Sequence, residues 1–188
     1  MNSFTGKLLI GALVVATSAL GATSANAAKG GIDRPMKATA TGMNTIADFA
    51  AGECGFPIDL GDGRGPRLVC DQTIDLDFKG THVGRSGYTS TGSITLFLAE
   101  GCLTSSSTLG VVFESSQTGT IVAANGDTLT AQLENRGCGD GITQAEPTGT
   151  FSIIGGTGRF EGATGSGTVN GVALGSSLSN EWAGTISY

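Results

Sequence analysis

The sequence predicts an all-β protein, a sandwich or a barrel of about eight short strands. Three observations carry this. From Phe56 onward, runs rich in Val, Ile, Phe and Thr recur at regular spacing, separated by Gly, Asn and Asp. The clearest run alternates with period two: Leu129, Ala131 and Leu133 on one side, Thr128, Thr130 and Gln132 on the other, which is the pattern of a half-buried strand. No segment carries an apolar stripe at helical spacing. Glycine supplies 32 of the 188 residues. Such a share can mark low complexity, but here the glycines alternate with Val, Ile, Phe and Thr and read as turn, bulge and barrel-bend positions.

Residues 1–27 read as a secretory signal peptide. Lys7 and the amino terminus give a positive start, an apolar run follows over residues 8–20, and Ala25-Asn26-Ala27 supplies a small-x-small cleavage pattern. The run is too short to span a bilayer. The expected location is therefore periplasmic or extracellular. Cleavage removes one of 10 basic residues and none of 16 acidic ones, leaving a net charge of −7. With no basic patch, nucleic acid and anionic lipid surfaces are poor partners. No later run is apolar enough to cross a membrane as a helix.

Residues 28–50 read as a mobile lead-in rich in Ala, Gly, Thr and Lys, within which 44–52 suits one helical turn or a first strand. A single domain is expected over residues 51–188. Its strands are, in order, 56–60 before the glycine-rich 61–65, then 73–78, 92–99, 108–115 leading through Gln117 to 119–124, 127–134, 149–154, 165–174 and 181–188. Asn125-Gly126 between two of these runs is a two-residue hairpin signal. The four cysteines, Cys54, Cys70, Cys102 and Cys138, suit disulfides in an exported chain. Three pairings exist; Cys54–Cys70 and Cys102–Cys138 are favoured because neighbours close the smaller loops. With His82 as the sole histidine and no C-x-x-C spacing, no metal or other cofactor is expected.

The stretch SIIGGTGRFEGATGSGTV, residues 152–169, admits three readings. A Walker loop needs a Lys after its last glycine, and none is placed so. A dinucleotide fingerprint needs glycine where Glu161 stands, and a helix that does not follow. Disorder is excluded by strand-like sequence on both sides. The remaining reading is strand, tight glycine turn, inserted Phe160, second glycine turn, strand. Gly155, Gly156, Gly158, Phe160 and Gly162, with Thr157 and Ala163, resemble the G-G-[TS]-G-x-[FY]-x-x-A motif of the allene oxide cyclase and dirigent proteins. Exported bacterial proteins of unassigned function carry a similar segment, and this chain looks most like those. The resemblance implies an eight-stranded antiparallel, calycin-like barrel over roughly residues 54–188, and self-association as a dimer or trimer. Thr164 and Gly165 stand where dirigent proteins have Arg and Gly, so the fold transfers better than the chemistry.

Candidate site residues follow. Glu114 and Glu134 flank apolar strand residues near the expected rim or lumen, where a raised pKa suits an acid or base; a salt bridge of Arg136 with Glu134 is the competing reading. Phe97, Phe113, Phe151 and Trp182 are candidate walls of an apolar pocket, or plain core. Asp75 and Asp77 share one strand face and read as solvated. Residues 59–63 read as a turn, since Gly61 stands where a calcium ligand belongs. His82 reads as a turn residue. Three function classes remain: a barrel binding a small apolar or amphipathic molecule, an isomerase or cyclase steering ring closure, and a filled barrel acting through its surface.

Overall fold

A computed structural model describes residues 31–46, 54–140 and 143–188. The predicted signal peptide, and the parts of the predicted lead-in at 28–30 and 47–50, lie outside them. Eight antiparallel strands form a closed barrel in sequence order: β1 Arg34–Ile46, β2 Arg67–Gly80, β3 Gly84–Leu103, β4 Leu109–Ala123, β5 Thr128–Gly139, β6 Gln144–Gly156, β7 Thr164–Leu174 and β8 Ser177–Ser187. Each pairs with the next, and β1 returns onto β8 with Arg34 opposite Ile186. Closure leaves no unpaired edge.

Four expectations are corrected here. Residues 34–46 are no lead-in but the strand that closes the barrel. Met36, Ala38 and Ala40 are buried and the residues between them exposed, so the alternation is present, but after Met36 its buried side chains are only alanines. Ala38 stands opposite Trp182, where a larger residue has no room. Residues 56–60 are not a strand. Pro57 lacks an amide donor, a single bridge joins Ile58 to Arg67, and Phe56 is 92% exposed. The runs 108–115 and 119–124 are one strand, β4, because Gln117 keeps the inward parity of Phe113 and Ile121. At the β4–β5 turn only Gly126 takes a positive φ, of 87°, so this is a longer turn than the two-residue form.

The lumen is half filled. At one end Trp182 packs edge-on to Phe78 and Tyr88, at centroid distances of 5.2 and 5.6 Å, and lies 4.9 Å from Phe151. These rings rest on glycine. A Cβ on Gly167 would come within 2.6 Å of the Phe151 ring, one on Gly119 within 2.5 Å of Tyr88, and one on Gly137 within 2.6 Å of Phe113. Glycine on one strand thus makes the volume that an aromatic on the next strand fills, the pairing that tolerates glycine in a sheet.

The glycine motif closes the same end. A single 3₁₀ turn, Gly158–Phe160, follows β6 and drives Phe160 under the barrel, fully buried and edge-on to Tyr188 at 5.1 Å. Thr157 fastens it to β5, its N–H donating to the Thr128 carbonyl at 2.9 Å and its hydroxyl accepting from the Thr128 N–H at 3.0 Å. Gly158 has φ of 59°, and a Cβ there would lie 1.8 Å from the Asp127 carboxylate. The strand–turn–Phe–turn–strand reading of this segment is what the chain forms.

Both favoured disulfides are present. Cys54–Cys70 ties the β1–β2 connection to β2, and Cys102–Cys138 joins β3 to β5 across β4, where Gly110 presents no side chain. In the chain-entropy account, losing the wider bridge through Cys102→Ser with Cys138→Ser costs about 2–4 kcal/mol. Urea unfolding of the double variant against the parent checks this; an unchanged midpoint would mean the β4 ladders alone hold that corner.

Candidate functional site

The other half of the lumen carries the site. From the plug outward, the inward faces of β1, β2, β4 and β8 pass from apolar to polar and back to apolar. Asn44 on β1, Gln72 on β2, Ser115 and Gln117 on β4, Asn135 on β5 and Asn180 on β8 form a belt. Beyond it Ile46, Ile94, Phe113, Ala145, Ala173 and Leu178 make an apolar collar. Tyr88, Ile74, Leu133 and Val169 bound the cavity on the plug side. The space enclosed is about 50 Å³, room for roughly three or four waters.

The belt is partly wired. Gln72 Nε2 donates to Asn44 Oδ1 at 2.8 Å, Gln117 Nε2 donates to Gln72 Oε1, and the Ser90 hydroxyl donates to Gln117 Oε1 at 3.1 Å. Asn135 Nδ2 reaches the Ser115 hydroxyl at 3.4 Å. Yet Asn135 Oδ1, Asn180 Oδ1 and Tyr88 Oη are buried with no hydrogen-bond partner. An unpartnered buried polar atom costs about 1–3 kcal/mol, so three around one small cavity mark it as more than packing. Burial pushes the Tyr88 phenol up to about 12, so it remains a neutral donor. Among the described residues lining the cavity, none is charged.

The sequence-predicted residues are divided by this geometry. Phe113 lines the cavity. Phe151 and Trp182 lie beneath it in the plug. Phe97 faces away from the lumen: it pairs with outward-facing Val112, and the Arg64 and Arg67 guanidinium groups cover its ring at 3.4 and 5.2 Å. Glu114 and Glu134 also point outward, against the expectation of a rim or lumen acid with a raised pKa. Glu134 is exposed and accepts from the Ser116 hydroxyl at 2.7 Å. Glu114 belongs to a four-charge cluster on the outer wall. Arg64 bonds Glu100 at 2.6 Å and Glu114 at 3.0 Å, while Arg136 bonds Glu100 at 3.1 Å and also Glu114. Arg136 thus pairs with Glu114, not with Glu134. Hydrogen bonding to Arg64 holds both carboxyls below the ordinary 4.5 and raises Arg64.

This cluster clamps the β1–β2 connection onto β3, β4 and β5. Its carboxyls are held low in the fold, so their stabilisation is present above about pH 4.5 and is lost as pH falls through their depressed values. Arg64→Gln is expected to move both titrations upward and to flatten the dependence of Tm on pH below 4.5. Carbon-13 NMR titration of the carboxyls checks it; unmoved titrations would assign the shifts to Arg136.

The remaining candidates are structural. Asp75 and Asp77 are exposed on the outer wall, opposite inward Ile74, Leu76 and Phe78. Asp59 and Asp62 each accept a backbone N–H two residues on, at 2.9 and 3.1 Å, and Asp62 pairs with Arg67. His82, at φ of 74° in the β2–β3 turn, lies with Nε2 3.0 Å from the Pro35 carbonyl and Nδ1 3.3 Å from the Tyr188 hydroxyl. A carbonyl only accepts, so Nε2 carries the proton and Nδ1 receives the phenol's. Among the described residues no His, Cys, Asp or Glu group of three is placed to hold a metal ion, and no helix is long and apolar enough to cross a membrane.

The belt was missed by the sequence reading, though a signal existed. Gln72, Gln117, Asn135 and Asn180 stand at the inward parity of their strands, two residues from Ile74, Gly119, Leu133 and Trp182. An amide that continues a buried alternation is a buried amide. No protein-family model, curated protein or solved structure matches this chain.

Proposed function

We propose that this is an exported barrel, a member of the allene oxide cyclase-like superfamily, that binds a small amphipathic molecule in the unplugged half of its lumen. The observation that carries the reading is the convergence of three partnerless buried polar groups, from Tyr88, Asn135 and Asn180, on one cavity behind an apolar collar. Ligand sites are mostly apolar with a few placed polar groups, and this lumen has that composition. Export is supported by the two disulfides. An isomerase or cyclase role would rely on wall shape and neutral donors, since Glu114 and Glu134 lie outside. A filled barrel working through its outer wall is the second reading, and the cavity's small volume of about 50 Å³ favours it.

Native mass spectrometry of the protein from its own host, with a denatured control, separates them. A stoichiometric small molecule lost on denaturation is the expected result. A bare mass, repeated after incubation with lipid extract, would overturn binding in favour of the filled barrel. The same spectra report the oligomeric state, for which a dimer or trimer is proposed.

A further inference from the structure

Resting on that reading, we infer that the ligand is uncharged and carries a hydroxyl, seated in the lumen cavity among Tyr88, Asn135 and Asn180. Gly149 on β6 and Gly171 on β7 leave the space that the two amide oxygens occupy. A Cβ on Gly149 would come within 2.6 Å of Asn135 Oδ1, and one on Gly171 within 2.1 Å of Asn180 Oδ1. The two amides therefore lean in from β5 and β8 over adjacent strands, each resting on a glycine. Both present an oxygen without a donor, and an oxygen acceptor is satisfied only by an N–H or O–H. Tyr88 Oη, also partnerless at the cavity's inner side, accepts or donates. A hydroxyl donates its one proton to one of the amide oxygens and accepts from the Tyr88 phenol; an ether or ester, which only accepts, leaves both amide oxygens bare.

Charge is excluded by the same surroundings. Among the described residues no ionised side chain lines the cavity, and an unpaired charge taken out of water is far costlier than an unpaired dipole. The apolar collar of Ile46, Ile94, Phe113 and Leu178 then fixes orientation: hydroxyl end inward, hydrocarbon toward the collar.

The test uses two isomers of equal size, 1-hexanol and methyl pentyl ether, with hexanoate as the charged probe. Binding to the full disulfide-bonded protein is followed by NMR shifts of the backbone amides of Leu133, Val169 and Leu178, which line the cavity in every variant, and in the parent also of the Asn135 and Asn180 side-chain amides. Hexanol is expected to bind about tenfold more tightly than the ether, the difference one well-placed buried hydrogen bond makes, and hexanoate at pH 7 not to bind. In Asn135→Leu with Asn180→Leu, the preference for hexanol is expected to vanish while the protein melts no lower than the parent, because two partnerless oxygens have gone. Gly171→Ala, which displaces the Asn180 amide and also presses Pro147 Cγ and the Ser179 carbonyl at 3.1 Å, is expected to weaken hexanol more than the ether; should the double variant fail to fold, this variant decides alone. Equal affinity for the isomers, or hexanoate binding as tightly as hexanol, overturns the hydroxyl assignment and leaves lumen binding standing. No amide shift with any probe, joined to a bare native mass, overturns both.

Discussion

Trp182→Ala is expected to lower stability by about 3–5 kcal/mol, a fall of roughly 10 °C in Tm. Trp182 touches three rings, Phe78, Tyr88 and Phe151, and is 1% exposed. The opposing inward residue on β1 is Ala38, which cannot swell to fill the void. The cost therefore includes nearly the whole cavity, with little collapse. Trp182→Phe is the informative companion. It keeps a ring and removes an indole N–H that has no partner, so its cost is expected to be about 1 kcal/mol or less. Denaturant unfolding of both variants checks the pair. Near-equal losses would mean that the indole's size matters less than its position on β8.

Gly184→Ala is expected to cost more than about 3 kcal/mol, beyond the usual range for adding a single methyl to a core. Gly184 faces the lumen between Trp182 and Ile186, opposite Gly167 on β7 and Met36 on β1. A Cβ there would lie 2.1 Å from the Ser166 carbonyl oxygen and 2.6 Å from the Gly167 Cα. These are backbone atoms of the next strand, so no rotamer change relieves the contact. Either β7 and β8 separate or their ladder breaks. Amide hydrogen exchange localises the damage: the expected result is lost protection along β7 and β8, with β3 and β4 largely intact. A variant that melts with the parent would show that the barrel can widen at this seam.

The contrast between these two sites shows what was legible beforehand. Strands with large inward residues could be read directly: Leu129, Ala131 and Leu133 are all buried as their alternation requires. So could the motif, because Phe160 between glycines has few uses other than as a plug. What escaped were positions whose meaning depends on the neighbouring strand. Ala38 and Ala40 look like linker residues until Trp182 stands beside them. Gly119, Gly137 and Gly167 look like bends until Tyr88, Phe113 and Phe151 lie on them. Glu114 looked like an acid near the lumen because its strand is apolar, yet its parity is that of Val112 and points outward. The belt amides are polar residues that only the parity of their strands turns inward. For Ala38, Ala40 and the three glycines the missing information is register, which only the closed barrel supplies; for Glu114 and the belt amides it is parity along their own strands.

The closing seam has a kinetic consequence. Arg34 pairs with Ile186, so the contact that completes the barrel joins the first strand to the last. Every other ladder is a local meander that can zip as soon as its two strands exist, but this one waits for all eight. Loop-closure entropy for so long a segment must be met before the seam returns any energy. Until then β1 and β8 each present an open edge, the feature that recruits other chains. The slow step in reaching the native state is therefore expected to be β1–β8 docking. An inhibitor of productive refolding would be any extended peptide that reaches the β8 edge first.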